Sequence, residues 1–399
     1  MSPAEAPRRG ARASAPSLLL EGLLSTKEVL IACGAGGVGK TTTTAALAAG
    51  AALRAPVRVL VITVDPARRL ADALGLDGLG DEARPVPAAA FGATRPKGEL
   101  FAAMLDTKQS WDALVTRHAP SREVAGQILA NPFYVNLTQR FARSHEYIAM
   151  ERLYELYAEG RYDLIVVDTP PALGALDFVD APEKMAEFFS SRLLRWLTAP
   201  ARSRLVGLAS RPFTQLADRI LGSQLLEELA VFFNLFQSMY PGFVARAHAV
   251  SALLREPQTT FMVVTSPEPV PVREARAFVG ALAERRLHLG LVVANKALPA
   301  AFAARGALRT AEALQGDAAP LAERISRALP GSFPDGERLA RVLAEVGAGF
   351  CNFAQVATRE QQLIDELAAE AEQVVRVPHL MRDVTDLGGL LEIAEHLFD

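Results

Sequence analysis

Apolar residues gather into six short, almost unbroken runs: Glu28–Cys33, Val57–Val64, Asp163–Val167, Thr260–Val264, Leu289–Ala294 and Gln373–Val377. Each has the length of a strand and ends in polar residues, Gly or Pro. Most lack the in–out alternation of a half-exposed sheet, which suits parallel strands covered on both faces. Segments of helical spacing separate them: Thr41–Leu53, Arg68–Leu74, Val272–Arg285 and Gln361–Glu372. This alternation predicts an α/β fold with a mostly parallel central sheet flanked by helices.

Two long stretches, near 107–160 and 183–255, keep helical spacing with almost no strand signal. They are predicted to be helical insertions beside the sheet. The second carries an apolar stripe from Leu225 to Phe236, followed by Met239, Tyr240 and Phe243. Such a stripe suits a groove for a partner helix or ordinary packing, and packing is the commoner use. At the start of the chain, Leu18–Leu20 is broken at once by Glu21, so residues 1–24 read as a flexible tail and 25–399 as a single domain. No uncharged apolar run approaches the ~18 residues of a membrane span. No internal repeat is visible.

Composition narrows the function classes. The chain has 399 residues, half of them hydrophobic, and a net charge of −3. That balance argues against a basic nucleic-acid-binding surface. Cys33 and Cys351 are the only cysteines and lie far apart. Neither a disulfide framework nor a zinc site is expected, and a reduced, cytoplasmic setting is. His145 and Glu146 lack a further ligand at useful spacing and read as surface or packing residues.

Gly34-Ala35-Gly36-Gly37-Val38-Gly39-Lys40-Thr41 fits G-x-x-x-x-G-K-[ST], after a strand and at the start of a helix. The glycines let successive N–H groups turn toward phosphate oxygens, and the helix adds its positive end. Gly34, Gly36, Gly37, Val38, Gly39, Lys40, Thr41 and Thr42 are the expected phosphate contacts. Lys40 is expected at the β- and γ-phosphates and the Thr41 hydroxyl on Mg²⁺. The same stretch also fits G-x-G-x-x-G, so a dinucleotide fold competes, with Asp65 as its acidic strand end. Lys40-Thr41 directly after the last glycine, and a second acidic strand end at Asp168, favour the phosphate loop of a nucleoside triphosphatase.

Asp65 and Asp168 each finish an apolar run and belong at the carboxyl edge of the sheet, where ligands of open α/β sheets bind. Asp168 is expected in the Mg²⁺ shell, and Asp65 beside the attacking water. A strand-end Asp can also simply cap the next helix.

Gly34–Thr44, Val64–Leu74, Asp168-Thr169-Pro170-Pro171, Pro267-Glu268-Pro269 with Glu274, Asn295-Lys296 and Val377-Pro378-His379-Leu380 together resemble the ArsA-type ATPases. That family includes the arsenite-pump ATPase and the factor that targets tail-anchored membrane proteins. The resemblance spans about residues 26–399. It implies Mg-ATP hydrolysis that drives a conformational switch in a dimer, with Asp65 activating water and Asp168 opening the second switch. It further implies that Asn295 reads adenine and Pro378 packs on the base, and that the helical region meets a protein or membrane-associated partner. Read from the residues alone, Asn295 could be a helix cap and Pro378 a strand stop.

The departures from the family pattern are specific. The lysine that relatives carry in the loop, which reaches across the dimer, is Ala35 here. The Gly-His-Thr stretch after the second switch is replaced by Ala172-Leu173-Gly174-Ala175. The C-x-x-C of the targeting factor and any cysteine cluster for arsenite are absent. A low-turnover regulatory subunit paired with a paralogous ATPase is therefore the alternative to a homodimeric ATPase.

Overall fold

In a computed structural model, the described residues are 16–64, 69–135, 142–169, 180–184, 187, 231–333 and 335–398. They form an eight-stranded sheet: β1 (Val29–Gly34), β2 (Arg58–Thr63), β3 (Arg84–Pro85), β4 (Glu99–Met104), β5 (Leu164–Asp168), β6 (Thr259–Thr265), β7 (Leu289–Ala297) and β8 (Val374–Pro378). Their order is β3-β4-β2-β5-β1-β6-β7-β8. Every neighbouring pair is parallel except β3 with β4. The six predicted runs are all strands. β4 joins them although Glu-Leu-Phe-Ala-Ala-Met carries little β-branched signal, and pairing with β2 along its whole length decides the matter.

Helix α1 spans Pro16–Thr26, α2 Lys40–Arg54, α3 Arg69–Ala73, α4 Thr107–His118, α5 Arg122–Leu129 and α6 Ala142–Ala158. After β5 come α7 (Tyr240–Arg255), α8 (Pro269–Glu284), α9 (Arg305–Gly316), α10 (Ala318–Ala328), α11 (Gly336–Ala368) and α12 (Leu387–Phe398). One sheet face is covered by α2 and α12, and the alanines of α2 from Ala45 to Ala52 lie buried there. Small side chains let this helix sit close to the strands. The opposite face is covered by α6, α7 and α8, with Met150, Leu153, Leu254, Phe278 and Leu282 packed on Ile31, Ile62, Val167 and Phe261.

Both predicted helical insertions are helical where they are described, through α4, α5, α6 and α7. They share a third core of their own, in which Trp111, Tyr147, Phe232, Phe236 and Phe243 meet. Trp111 stacks on Phe243 at a 6.1 Å centroid distance, and Phe236 lies 4.9 Å from Phe243. Most of the described apolar stripe is packing: Phe232, Phe233, Phe236, Met239 and Phe243 are buried, while Val231 is exposed. Leu225, Leu226 and Leu229 lie outside the described residues.

Two expectations are corrected. Residues 16–24 were assigned to a flexible tail but belong to α1, whose Leu20 is fully buried and packs into the core with α12. Residues 1–15 lie outside the described part. The helix expected at Gln361–Glu372 is the end of α11, which begins at Gly336.

Candidate functional site

β1 delivers the glycine loop to the carboxyl edge of the sheet, and α2 leaves it at Lys40. Close approach dictates two of the glycines. A Cβ on Gly34 would lie 2.1 Å from the Val264 carbonyl oxygen, and one on Gly39 would lie 2.3 Å from Asn295 Nδ2. Gly39 also holds φ +87°, which side chains disfavour. It makes no side-chain cap to α2, so the first-turn N–H groups stay open to an anion. Gly36 and Gly37 are exposed, Thr41 and Thr42 half-buried, and Val38 and Lys40 buried.

β5 lies directly between β1 and β2, so its last residue faces both. Asp168 is registered against Ala32 on one side and Thr63 on the other. Its carboxylate is fully buried and accepts from the Thr41 hydroxyl at 2.7 Å and the Thr63 hydroxyl at 3.0 Å. Lys40 Nζ lies 3.8 Å from its other oxygen. The Thr169 hydroxyl donates to the Ala32 carbonyl at 2.8 Å, which pins the chain just past Asp168. Thr63 was not singled out from the sequence, because its part depends on a strand order that puts β5 beside β2.

The donors suit the groups the sequence implies. Thr41 and Asp168 offer adjoining hydroxyl and carboxylate oxygens, the hard donors that Mg²⁺ takes. The glycine loop, the open helix start and Lys40 together suit a polyphosphate. Asp65 lies outside the described residues. Val64, the last described residue before it, donates its N–H to the Asp168 carbonyl at 3.2 Å.

At the far side of the loop, Asn295 sits on β7 and is buried. Its Nδ2 donates to the Val38 carbonyl at 2.8 Å, which ties it to the loop. Next to it, Lys296 Nζ donates to the Gly37 carbonyl at 2.8 Å. The sequence offered no role for Lys296. Pro378 ends the edge strand β8 against Ala297, where a missing N–H is tolerated.

The strand order decides between the two phosphate-binding folds. In a dinucleotide fold the second strand pairs directly with the first. Here β5 intervenes and brings an acid to the loop's lysine and threonine. The architecture is that of an α/β P-loop nucleoside triphosphatase. A family model described as anion-transporting ATPase matches residues 27–316, taking in the loop, Asp168 and Asn295. The chain belongs to the anion-transporting ATPase family. It is 30% identical over 278 residues to an uncharacterized protein of Streptomyces coelicolor, covering 68% of this chain and 62% of that protein. It is 24% identical over 272 residues to an ATPase ASNA1 homolog of Entamoeba dispar, covering 67% of this chain and 75% of the relative. ATPase GET3 of Malassezia globosa is 32% identical over 177 residues, 43% of this chain and 49% of the relative. In this member of the anion-transporting ATPase family, α10, α11, β8 and α12 lie beyond the matched residues.

Cys33, beneath the loop, is buried and its thiol is pushed up to about 12, chiefly by burial. It is packing, not a metal ligand or nucleophile. Among the helices, His118, Glu151 and Glu155 bring ligand atoms within 4.8 Å of one another. Arginines already hold the carboxylates: Arg246 pairs with Glu151, and Arg117 and Arg152 with Glu155. Burial raises the Glu151 carboxyl while Arg246 offsets it, so the cluster is a partly buried ion network. The side chains of His145 and Glu146 lie outside the described residues. No described helix is long and apolar enough to cross a membrane.

Proposed function

We propose that this chain binds Mg-ATP and hydrolyses it, and that the cycle drives a conformational switch in a dimer acting on a protein or membrane-associated partner. The observation that carries the reading is Asp168, whose carboxylate touches Thr41 and lies 3.8 Å from Lys40. It joins an acidic strand end to the phosphate loop. Two relatives bear the name ATPase, which supports hydrolysis.

Mg-ATP supplies the phosphoryl group, with the metal drawing charge from it. The chain's own residues do the rest. Loop N–H groups and the α2 start hold phosphate oxygens, with Lys40 as the cation between them. Thr41 and Asp168 would hold the metal. Asp65, by its place after β2, orients the attacking water and takes its proton. Asn295 and Pro378 bound the base. Turnover of ATP measured with and without Mg²⁺, together with sedimentation of the protein in each state, tests the reading. Metal-dependent turnover with a shift to dimer is expected; a protein that neither turns over ATP nor dimerises with it overturns it.

A second reading rests on Ala35. Its methyl group is buried against the core under the loop and brings no charge to a partner's site. A low-turnover regulatory subunit, completed by a paralogous ATPase, fits that feature. Turnover that rises well above the sum of the parts when a lysine-bearing paralogue is added favours this version.

A further inference from the structure

Two consecutive side chains at the end of β7 grip two consecutive carbonyls of the phosphate loop. Asn295 Nδ2 holds the Val38 oxygen and Lys296 Nζ the Gly37 oxygen, each at 2.8 Å. A regular strand cannot do this, because neighbouring side chains point to opposite faces. The backbone here is not regular. Lys296 takes φ +60°, one of two described non-glycine residues with positive φ, and the pairing of β7 with β8 shifts register between Ala294 and Ala297. The left-handed turn brings residue 296 round to the side of residue 295. A lysine in that conformation is strained, and Lys296 has no carboxylate partner among the described residues. The geometry has a local cost, and the contact it creates is with the loop.

The consequence lies on the loop's other side. Described peptides are all trans, so in each planar unit the N–H points opposite to the C=O. Holding the Gly37 oxygen fixes the direction of the Val38 N–H, and holding the Val38 oxygen fixes that of the Gly39 N–H. Neither N–H makes a backbone hydrogen bond among the described residues. An ammonium on a carbonyl also polarises that peptide and makes its N–H a better donor.

We propose that Lys296 is a positioning residue that aims the Val38 N–H at a bound phosphate by fastening the outer face of the loop to β7. It rests on the proposed nucleotide site. The charge acts through the loop and not on the base.

The test compares the full-length protein with Lys296→Met, which keeps the stem and removes the ammonium, and Lys296→Gly, which also relieves the left-handed strain. Binding is measured calorimetrically for Mg-ATP and for Mg-tripolyphosphate, which has no base or sugar, and unfolding temperature is measured without ligand. A charged hydrogen bond on an exposed loop is worth about a fivefold to tenfold change in affinity. Both variants are expected to lose that factor for ATP and for tripolyphosphate alike. Lys296→Gly is expected to melt no lower than wild type, which separates aiming the loop from merely stabilising the fold. A loss confined to ATP overturns the proposal in favour of contact with the base. Wild-type affinity in Lys296→Met overturns it while leaving the nucleotide site standing. A wild-type protein that binds neither ligand overturns the proposed function and this inference with it.

Discussion

Asp168→Asn separates the two duties of the site's acid. The wild-type carboxylate is fully buried, 3.8 Å from the buried Lys40 ammonium, and accepts two hydroxyl hydrogen bonds. At that distance and an effective dielectric of ~20, the lost attraction is about 4 kcal/mol. Both hydroxyls donate to the same carboxylate oxygen, and an asparagine carbonyl in its place can accept both, so the larger loss is the charge. A buried cation left without its partner typically costs about 3–5 kcal/mol. The ligand-free variant should therefore melt on the order of 5 °C or more below wild type. Phosphate gives Lys40 a new counter-charge, so ATP without metal should restore more stability to the variant than to wild type. Metal is the other duty. With one carboxylate oxygen gone from its shell, the Mg²⁺ midpoint in the presence of ATP should rise about tenfold or more. Scanning calorimetry and a Mg²⁺ titration of ATP binding read the two effects independently. Full destabilisation with an unaltered Mg²⁺ midpoint would make Asp168 a structural counter-ion only. An unchanged melting temperature would refute the ion pair itself.

Three further outcomes follow from the same geometry. Lys40→Ala should weaken ATP by roughly 10–100-fold, the scale of one charge-assisted contact, and a folded variant with wild-type affinity removes the phosphate-loop assignment. Asp65→Asn should keep ATP binding while slowing turnover about 10²-fold, and unchanged turnover would return Asp65 to a helix-capping role. His118 is held below the ordinary histidine range, first by burial and then by Arg246 and Arg117. Its neutral form is favoured in the folded state, so its stability contribution is complete above about pH 6.5 and is lost as pH falls through the lowered value. Melting curves between pH 7.5 and 5 should diverge from those of His118→Gln in that direction, and parallel curves would refute the assignment.

The sheet and the loop were legible because both are written in contiguous residues. Six apolar runs and one glycine-rich octet need no knowledge of what lies beside them. Asp168 was legible as a strand end, but Thr63 was not, since only the order β2-β5-β1 brings them together. Lys296 was hidden for a different reason. Its contact depends on a left-handed backbone at a lysine, which no residue preference announces. The first helix failed by length: eleven residues rarely hold a helix alone, and Leu20 becomes decisive only when the final helix lies against it. The apolar stripe at Phe232–Phe243 was ambiguous until Trp111 and Tyr147, from the other insertion, filled its surroundings.

The helices α6 and α7 each belong to two cores. In α6, Tyr147 and Ile148 lie among the aromatic rings, while Met150, Leu153 and Leu156 lie under the sheet. In α7, Phe243 and Ala247 meet the rings, and Val250, Leu253 and Leu254 meet the strands. At 1.5 Å per residue such helices are rods about 25 Å long, clamped at both ends. Close-packed ends do not yield gradually. Their sheet ends share one core with Ile31 and Cys33 of β1 and Val167 of β5, the strands that carry the loop and Asp168. Tilting either rod at the strands requires the aromatic cluster to repack, and a ring forced out of that cluster has the strands as its fulcrum.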